Sequence, residues 1–172
     1  MADLLPILTY PDRFLRRTAD PVEAVTPQVR AKVESMIETM HAARGIGLAA
    51  TQVGWNARLA IVSGTGDRDD ELVIINPEIL DLWGSEALEE GCLSFPGVNA
   101  VITRPVGVHL RYTDLDGNVQ EMEDDEMLGR CILHEFDHLN GITFLSKMSP
   151  ADKMVNRRAL KALEERGDRR SA

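Results

Sequence analysis

Apolar positions recur at helical spacing over several stretches of this chain, and the boundaries are marked. Val29, Val33, Met36, Ile37 and Met40 fall on one face of a helix that Thr26 caps and Pro27 opens, a place where proline forfeits no hydrogen bond. The pattern predicts this helix through about His41, with Gly45 and Gly47 beyond its end. A second run follows the acidic stretch 121–126: Met127, Cys131, His134 or Glu135, and His138, closing at Gly141. A last helix is predicted over 150–165. Between these, the period falls to short strand-like runs at 58–63, 72–76 and 106–113. Asp116-Gly117, between 106–113 and 118–122, reads as a hairpin turn. A helix, then strands, then helices predicts an α+β fold with mainly antiparallel sheet, not alternating βαβ units.

Nothing divides the 172 residues: there is no repeat, low-complexity tract or long linker, so one domain spanning 1–172 is expected. Hydrophobic residues at 44% and charged residues at 27% are ordinary for a globular chain and exclude disordered and fibrous classes. Two cysteines do not make a disulfide framework and point to a reducing compartment, a metal or catalysis. No apolar run approaches the ~20 residues of a membrane span. Asp3 stands where a targeting peptide carries basic residues, so the cytoplasm is expected. A net charge of −9 argues against wrapping DNA. The charge is uneven: residues 151–172 hold seven basic and four acidic residues, net +3, which leaves −12 on residues 1–150. That tail reads first as a solvated helix and second as a docking surface for an anionic partner.

Three segments carry candidate chemistry. In His134-Glu135-Phe136-Asp137-His138 the two histidines sit at i and i+4, so on a helix both imidazoles reach one metal ion while Glu135 lies close enough to act on a bound water. Chance spacing on a polar surface helix is the plainer alternative. The apolar neighbours Ile132, Leu133 and Leu139 argue instead for a buried helix, whose imidazoles and carboxylates need partners. A catalytic site takes a third protein ligand and keeps one position open; the candidates are Cys92, Cys131, His41, His109 and the acids. Cys131 is seven residues from His138, a rise of about 10.5 Å, too far for a short side chain to share the ion, and it reads as a small buried hydrophobe. Cys92 lies in Glu90-Gly91-Cys92-Leu93-Ser94-Phe95-Pro96-Gly97, where glycines let backbone approach a ligand. The third segment, 45–54, lacks the last glycine of a dinucleotide fingerprint and the lysine of a P-loop. Alone it reads as a helix end and a close-packed turn; its small residues also suit a tight wall over a cavity with the Gln52 amide turned inward.

Together, Gly45-Ile46-Gly47-Leu48-Ala49-Ala50-Thr51-Gln52, Glu90-Gly91-Cys92-Leu93-Ser94 and His134-Glu135-Phe136-Asp137-His138-Leu139 resemble the three signature segments of the peptide deformylases, in order and in separation. The resemblance runs from Leu5-Pro6-Ile7 through the final helix. It implies antiparallel sheets packed around a central metal-binding helix, with an N-terminal and a C-terminal helix. It further implies removal of the N-formyl group from formylmethionyl nascent peptides, releasing formate. By the same resemblance Cys92, His134 and His138 hold one divalent ion, natively Fe(II), with zinc, nickel or cobalt able to substitute. Glu135 is the general acid/base toward a metal-bound water, and the Gln52 amide and Leu93 N–H stabilise the oxyanion. Gly47 and Gly91 leave room for a substrate strand, and Ile46, Leu88, Met127, Cys131 and the face of His134 would line a methionine pocket. Arg104 resembles the family's structural partner for Asp137.

Three positions depart from the family pattern. Leu133 stands where Gln is usual before the first helical His. Arg130 stands where many bacterial members have an apolar pocket residue, and its stem is expected to line the pocket while the guanidinium reaches solvent. Asn99 stands where bacterial members often have Arg. A zinc endopeptidase would need a further His or Glu ligand downstream, and no His follows Leu139. A structural metal module would need a fourth closed ligand, and none presents itself. The expected partners are formylmethionyl nascent chains and ribosomal RNA at the basic tail; no DNA or membrane partner and a monomer are expected.

Overall fold

The computed structural model describes residues 3–171, and Met1, Ala2 and Ala172, with the side chains of 168–171, lie outside the described residues. Helix α1 (Pro27–Ala42) begins as expected, with Thr26 Oγ1 accepting from Val29 N–H. Strands β1 (Gly47–Ala49), β2 (Leu59–Ser63) and β3 (Glu71–Trp83) follow, then β4 (Glu86–Gly91), β5 (Asn99–Arg104), β6 (Gly107–Thr113) and β7 (Val119–Asp124). Helix α2 (Met127–Leu139) precedes the short helices α3 (Phe144–Lys147) and α4 (Pro150–Val155), and α5 (Arg157–Ser171) closes the described chain. One sheet has the order β1-β2-β3-β6-β7 and a second holds only β4 and β5. Every pairing is antiparallel. The chain is therefore α+β, with antiparallel sheets around α2 and helices near both ends.

β2 shows how the core is divided. All its residues are buried, and successive side chains point to opposite faces. Ala60 and Val62 pack under α2 with Val108, Leu110 and Ile132. Leu59 and Ile61 meet Val33, Met36 and Met40 of α1 on the other face. A third cluster joins Ala100 and Ile102 of β5 to Phe95, Phe144, Met148 and Leu163, which seats α3 and α5 against the second sheet. Helix α2 thus has the large sheet on one side and the β4–β5 hairpin on the other.

Several boundaries correct the sequence reading. β3 does not stop at residue 76 but continues through Pro77 to Trp83. Its pairing with β6 shifts register between Ile75 and Glu78, and Asn76 takes φ 51°, so the bulge absorbs a proline that cannot donate to the ladder. β4 and β5 carry no strong apolar run; β4 is almost wholly exposed, while β5 alternates and buries only Ala100, Ile102 and Arg104. The 150–165 helix is two helices broken at Asn156, whose Nδ2 donates to Asn99 O (2.8 Å) and Asp152 O (2.9 Å).

The far end of α2 is fixed by Gly141, with φ 70°; a Cβ there would lie 2.5 Å from Arg16 O. Gly141→Ala combines left-handed strain with a backbone clash and is expected to lower unfolding stability by about 2 kcal/mol or more, read by urea denaturation.

Candidate metal centre and active site

Helix α2 places His134 and His138 one turn apart, with ring centroids 5.2 Å apart. The loop after β4 brings Cys92 Sγ to 3.3 Å from His138 Nε2. One donor atom from each of Cys92, His134 and His138 lies within 4.8 Å of the others, and among the described residues no fourth His, Cys, Asp or Glu joins them. The sulfur is thus the one carried by Cys92. Cys131 faces another way: its thiol donates to Ile46 O (3.1 Å), and burial drives its pKa well up.

The orientation of His134 has a visible cause. His134 Nδ1 lies 3.0 Å from Glu90 Oε2, so that nitrogen donates to the carboxylate and leaves the Nε2 lone pair for an ion. Arg104 clamps the same carboxylate, Nε to Oε1 at 2.7 Å and Nη2 to Oε2 at 3.0 Å. Its Nη1 donates to Asp137 Oδ2 at 2.7 Å, and Lys147 Nζ stands 3.3 Å from the same oxygen. Burial opposes charge on His134, but Cys92 and Glu90 on either side outweigh it and raise its pKa. Burial pushes His138 well down, so it is a neutral imidazole. One sulfur and two imidazole nitrogens converging in this way are a donor set that fits a divalent ion.

Glu135 is 3% exposed and its Oε2 has no protein partner. Burial raises its pKa to about 7, which places it between proton acceptor and proton donor near neutrality. The Gln52 amide is fixed from both ends: Oε1 accepts from Ala49 N–H (2.8 Å), and Nε2 donates to Ser94 Oγ (3.1 Å) while lying 3.8 Å from Cys92 Sγ. The amide therefore turns its NH2 toward the cysteine.

These groups open into a cleft of about 460 Å3. It is lined by Ile46, Gly47, Gln52, Leu88, Gly91, Leu93, Met127, Arg130, Cys131, His134 and Glu135, with Asn99 at its edge. Ile46, Leu88 and Met127 remain more than a third exposed, so an apolar mouth faces solvent beside the polar cluster. One edge of the cleft is β1 and the other is β4, both outer strands of their sheets.

Arg130 corrects an expectation. Its guanidinium does not reach solvent: the residue is 7% exposed, with Nε 2.8 Å from Glu90 Oε1, Nη1 donating to the carbonyl of Glu86 and Nη2 to the carbonyls of Leu88 and Ile102. Glu90 offers a buried anion within reach, and pairing there outweighs hydration. Leu133 is 6% exposed and packs in the core under the large sheet. His41 pairs with Glu71, and His109 with Glu121 and Glu123, all apart from the cleft. Sequence reasoning did not single out Glu90 or Ser94. The signal for Glu90 was its alternation with Leu88, which puts both on one face of a strand; the strand itself was not recognised.

Comparison with known proteins resolves the class. The profile of the polypeptide deformylase family matches residues 4–154. The chain belongs to that family. A peptide deformylase from Legionella pneumophila is 37% identical, with 96% of this chain and 98% of that chain covered and a TM-score of 0.89. One from Plasmodium falciparum is 34% identical, covering 93% and 95% at a TM-score of 0.90. The Arabidopsis thaliana peptide deformylase 1B, solved with an inhibitor, is 31% identical, covering 96% and 93% at 0.91. The chain is accordingly a metal-dependent hydrolase. Among the described residues no helix is long and apolar enough to cross a membrane.

Gly47 sets the clearance over Glu135: a Cβ there would lie 2.3 Å from Glu135 Oε1 and 2.8 Å from Cys131 Sγ. Gly47→Ala must displace the carboxylate and is expected to reduce kcat/KM for hydrolysis of a formylated peptide at least about 100-fold, with the fold retained by circular dichroism.

Proposed function

We propose that the chain removes the formyl group from formylmethionine at the start of nascent polypeptides, with Cys92, His134 and His138 holding one divalent ion. The observation that carries this reading is the convergence of those three donors beside a buried Glu135 whose Oε2 has no protein partner. When bound, the ion supplies Lewis acidity that activates a water and polarises the formyl oxygen. Glu135 accepts the proton of the attacking water and passes it to the amine as the C–N bond breaks, leaving formate and a free N-terminus. The Gln52 NH2, held by Ala49 and Ser94, and the Leu93 N–H stabilise the negative oxygen of the tetrahedral adduct; one such donor is typically worth ~3–4 kcal/mol.

The methionine side chain goes to Ile46, Leu88, Met127, Cys131 and the buried stem of Arg130. A substrate backbone laid between Gly47 and Gly91 would pair with the outer strands on either side. Arg104 holds Asp137 and Glu90, and so holds α2. Fe(II) is the proposed native ion, with zinc, nickel or cobalt as substitutes; a site of two imidazoles and one thiolate binds zinc more tightly by intrinsic affinity, so supply decides. We place the activity on one domain spanning 1–172, acting as a monomer in the cytoplasm. The exposed basic residues of the last helices, Lys153, Arg157, Arg158, Lys161 and Arg166, suit contact with ribosomal RNA. Arg169 and Arg170, also counted in that tail, have side chains outside the described residues.

Formate release from a formyl-Met tripeptide tests the assignment. The metal-replete protein is expected to release formate, and Glu135→Ala to lose at least about 100-fold in kcat with its metal retained. Metal content separates the cysteines: Cys92→Ser is expected to lose the ion and Cys131→Ser to keep it. Full release by Glu135→Ala would end the proposal.

A further inference from the structure

Arg130 and Arg104 share one carboxylate. Arg104 meets both oxygens of Glu90, at 2.7 and 3.0 Å, so Arg104 alone fixes how that carboxylate faces His134. Arg130 then adds no orientation that Glu90 lacks. What it adds is charge, through an Nε 2.8 Å from Glu90 Oε1. The side chains of Arg104, Arg130, Glu90 and Asp137 are 4%, 8%, 9% and 14% exposed, and two guanidiniums against two carboxylates make a neutral buried group. Lys147, the one further cation on Asp137 among the described residues, is 37% exposed and screened by water. Without Arg130 the group would carry one negative charge, applied through Glu90 at 3.0 Å to the ring of His134.

We propose that Arg130 is a positioning residue that acts through Glu90: it neutralises the buried group around His134 and thereby keeps the ion at Cys92, His134 and His138 electron-poor. This rests on the metal reading above. It assigns the methionine pocket wall and the metal centre to one charge network. A residue that serves packing alone would, when lost, weaken metal binding and activity together. A residue that serves charge moves them in opposite directions, because extra negative charge tightens a cation's binding while reducing its Lewis acidity.

The test uses the full chain loaded with Co(II), measuring the dissociation constant by chelator competition, the thiolate-to-cobalt absorption band, and kcat for a formyl-Met tripeptide. Wild type is expected to show the thiolate band; its absence would overturn the metal reading itself. Given that band, Arg130→Met is expected to bind Co(II) about tenfold more tightly, shift the band, and lose about tenfold in kcat. Arg130→Lys, which keeps the charge but not the fork, is expected to stay within about twofold of wild type in affinity, even at a lower melting temperature. Weaker binding in Arg130→Met, or an Arg130→Lys that shifts as far as Arg130→Met, overturns the inference. Should Arg130→Met not fold, the charge-balanced double variant Glu90→Gln/Arg130→Met takes its place. Its Co(II) affinity is expected within about threefold of wild type, against a roughly tenfold loss in Glu90→Gln alone, and a double variant no closer to wild type than Glu90→Gln overturns the inference.

Discussion

A helix whose polar edge is buried is the constraint from which the rest of this structure follows. α2 has the large sheet on one side and the β4–β5 hairpin on the other, yet it carries Arg130, His134, Glu135, Asp137 and His138. None of these can be taken out of water without a partner. The hairpin supplies them: Arg104 from β5 and Glu90 from β4 reach across to Asp137, His134 and Arg130. The two-stranded sheet, too small to be stable alone, is held in turn by those contacts and by Ile102 and Phe95 against α3 and α5. Three buried side-chain atoms of the helix make no hydrogen bond, Arg130 Nε, His138 Nδ1 and Glu135 Oε2. Arg130 Nε is ion-paired to Glu90 at 2.8 Å, and of the other two only the carboxylate lines the cleft.

The same constraint explains how much could be read from the chain. The i, i+4 histidines and the apolar residues around them are local, so α2 and the bay for an ion were visible in sequence. The rejection of Cys131 followed from helical rise alone, and its thiol is indeed spent on Ile46 O. β2 was legible because it is buried on both faces, whereas β4 is exposed and polar and β3 crosses a proline. The fate of Arg130 was not legible. Whether a long cation turns outward or inward depends on what a distant segment presents, and the anion that captures it is forty residues away. The importance of Glu90 was hidden for the same reason, since its partners come from two other elements, β5 and α2.

The cleft owes its form to the two sheets not merging. β1 ends one sheet and β4 edges the other, and each bears a glycine, Gly47 and Gly91, where a side chain would intrude on Glu135 or Asn99. Unpaired sheet edges are ordinarily a hazard that proteins blunt. Here both face one bay with an apolar mouth at Ile46, Leu88 and Met127, so an extended peptide would satisfy two edges at once and present its first side chain to the pocket.

Stability does not account for the charged group beside that bay. Removing ions from water costs several kcal/mol each, and a buried network is often no more stabilising than an apolar group of equal volume. Ile102 and Leu133 show that this region packs apolar side chains well. A second guanidinium on a carboxylate that already has one therefore needs another reason. Glu90 is anchored so that it can orient His134, but an anchored anion beside a ligand also feeds charge to whatever that ligand holds. Orientation and electron donation come from the same oxygen and cannot be separated by moving it. They can be separated by a second cation, which leaves the geometry to Arg104 and cancels the charge. Arg130 lines the cleft beside Glu90, and its carbonyl contacts on β4 and β5 keep it there.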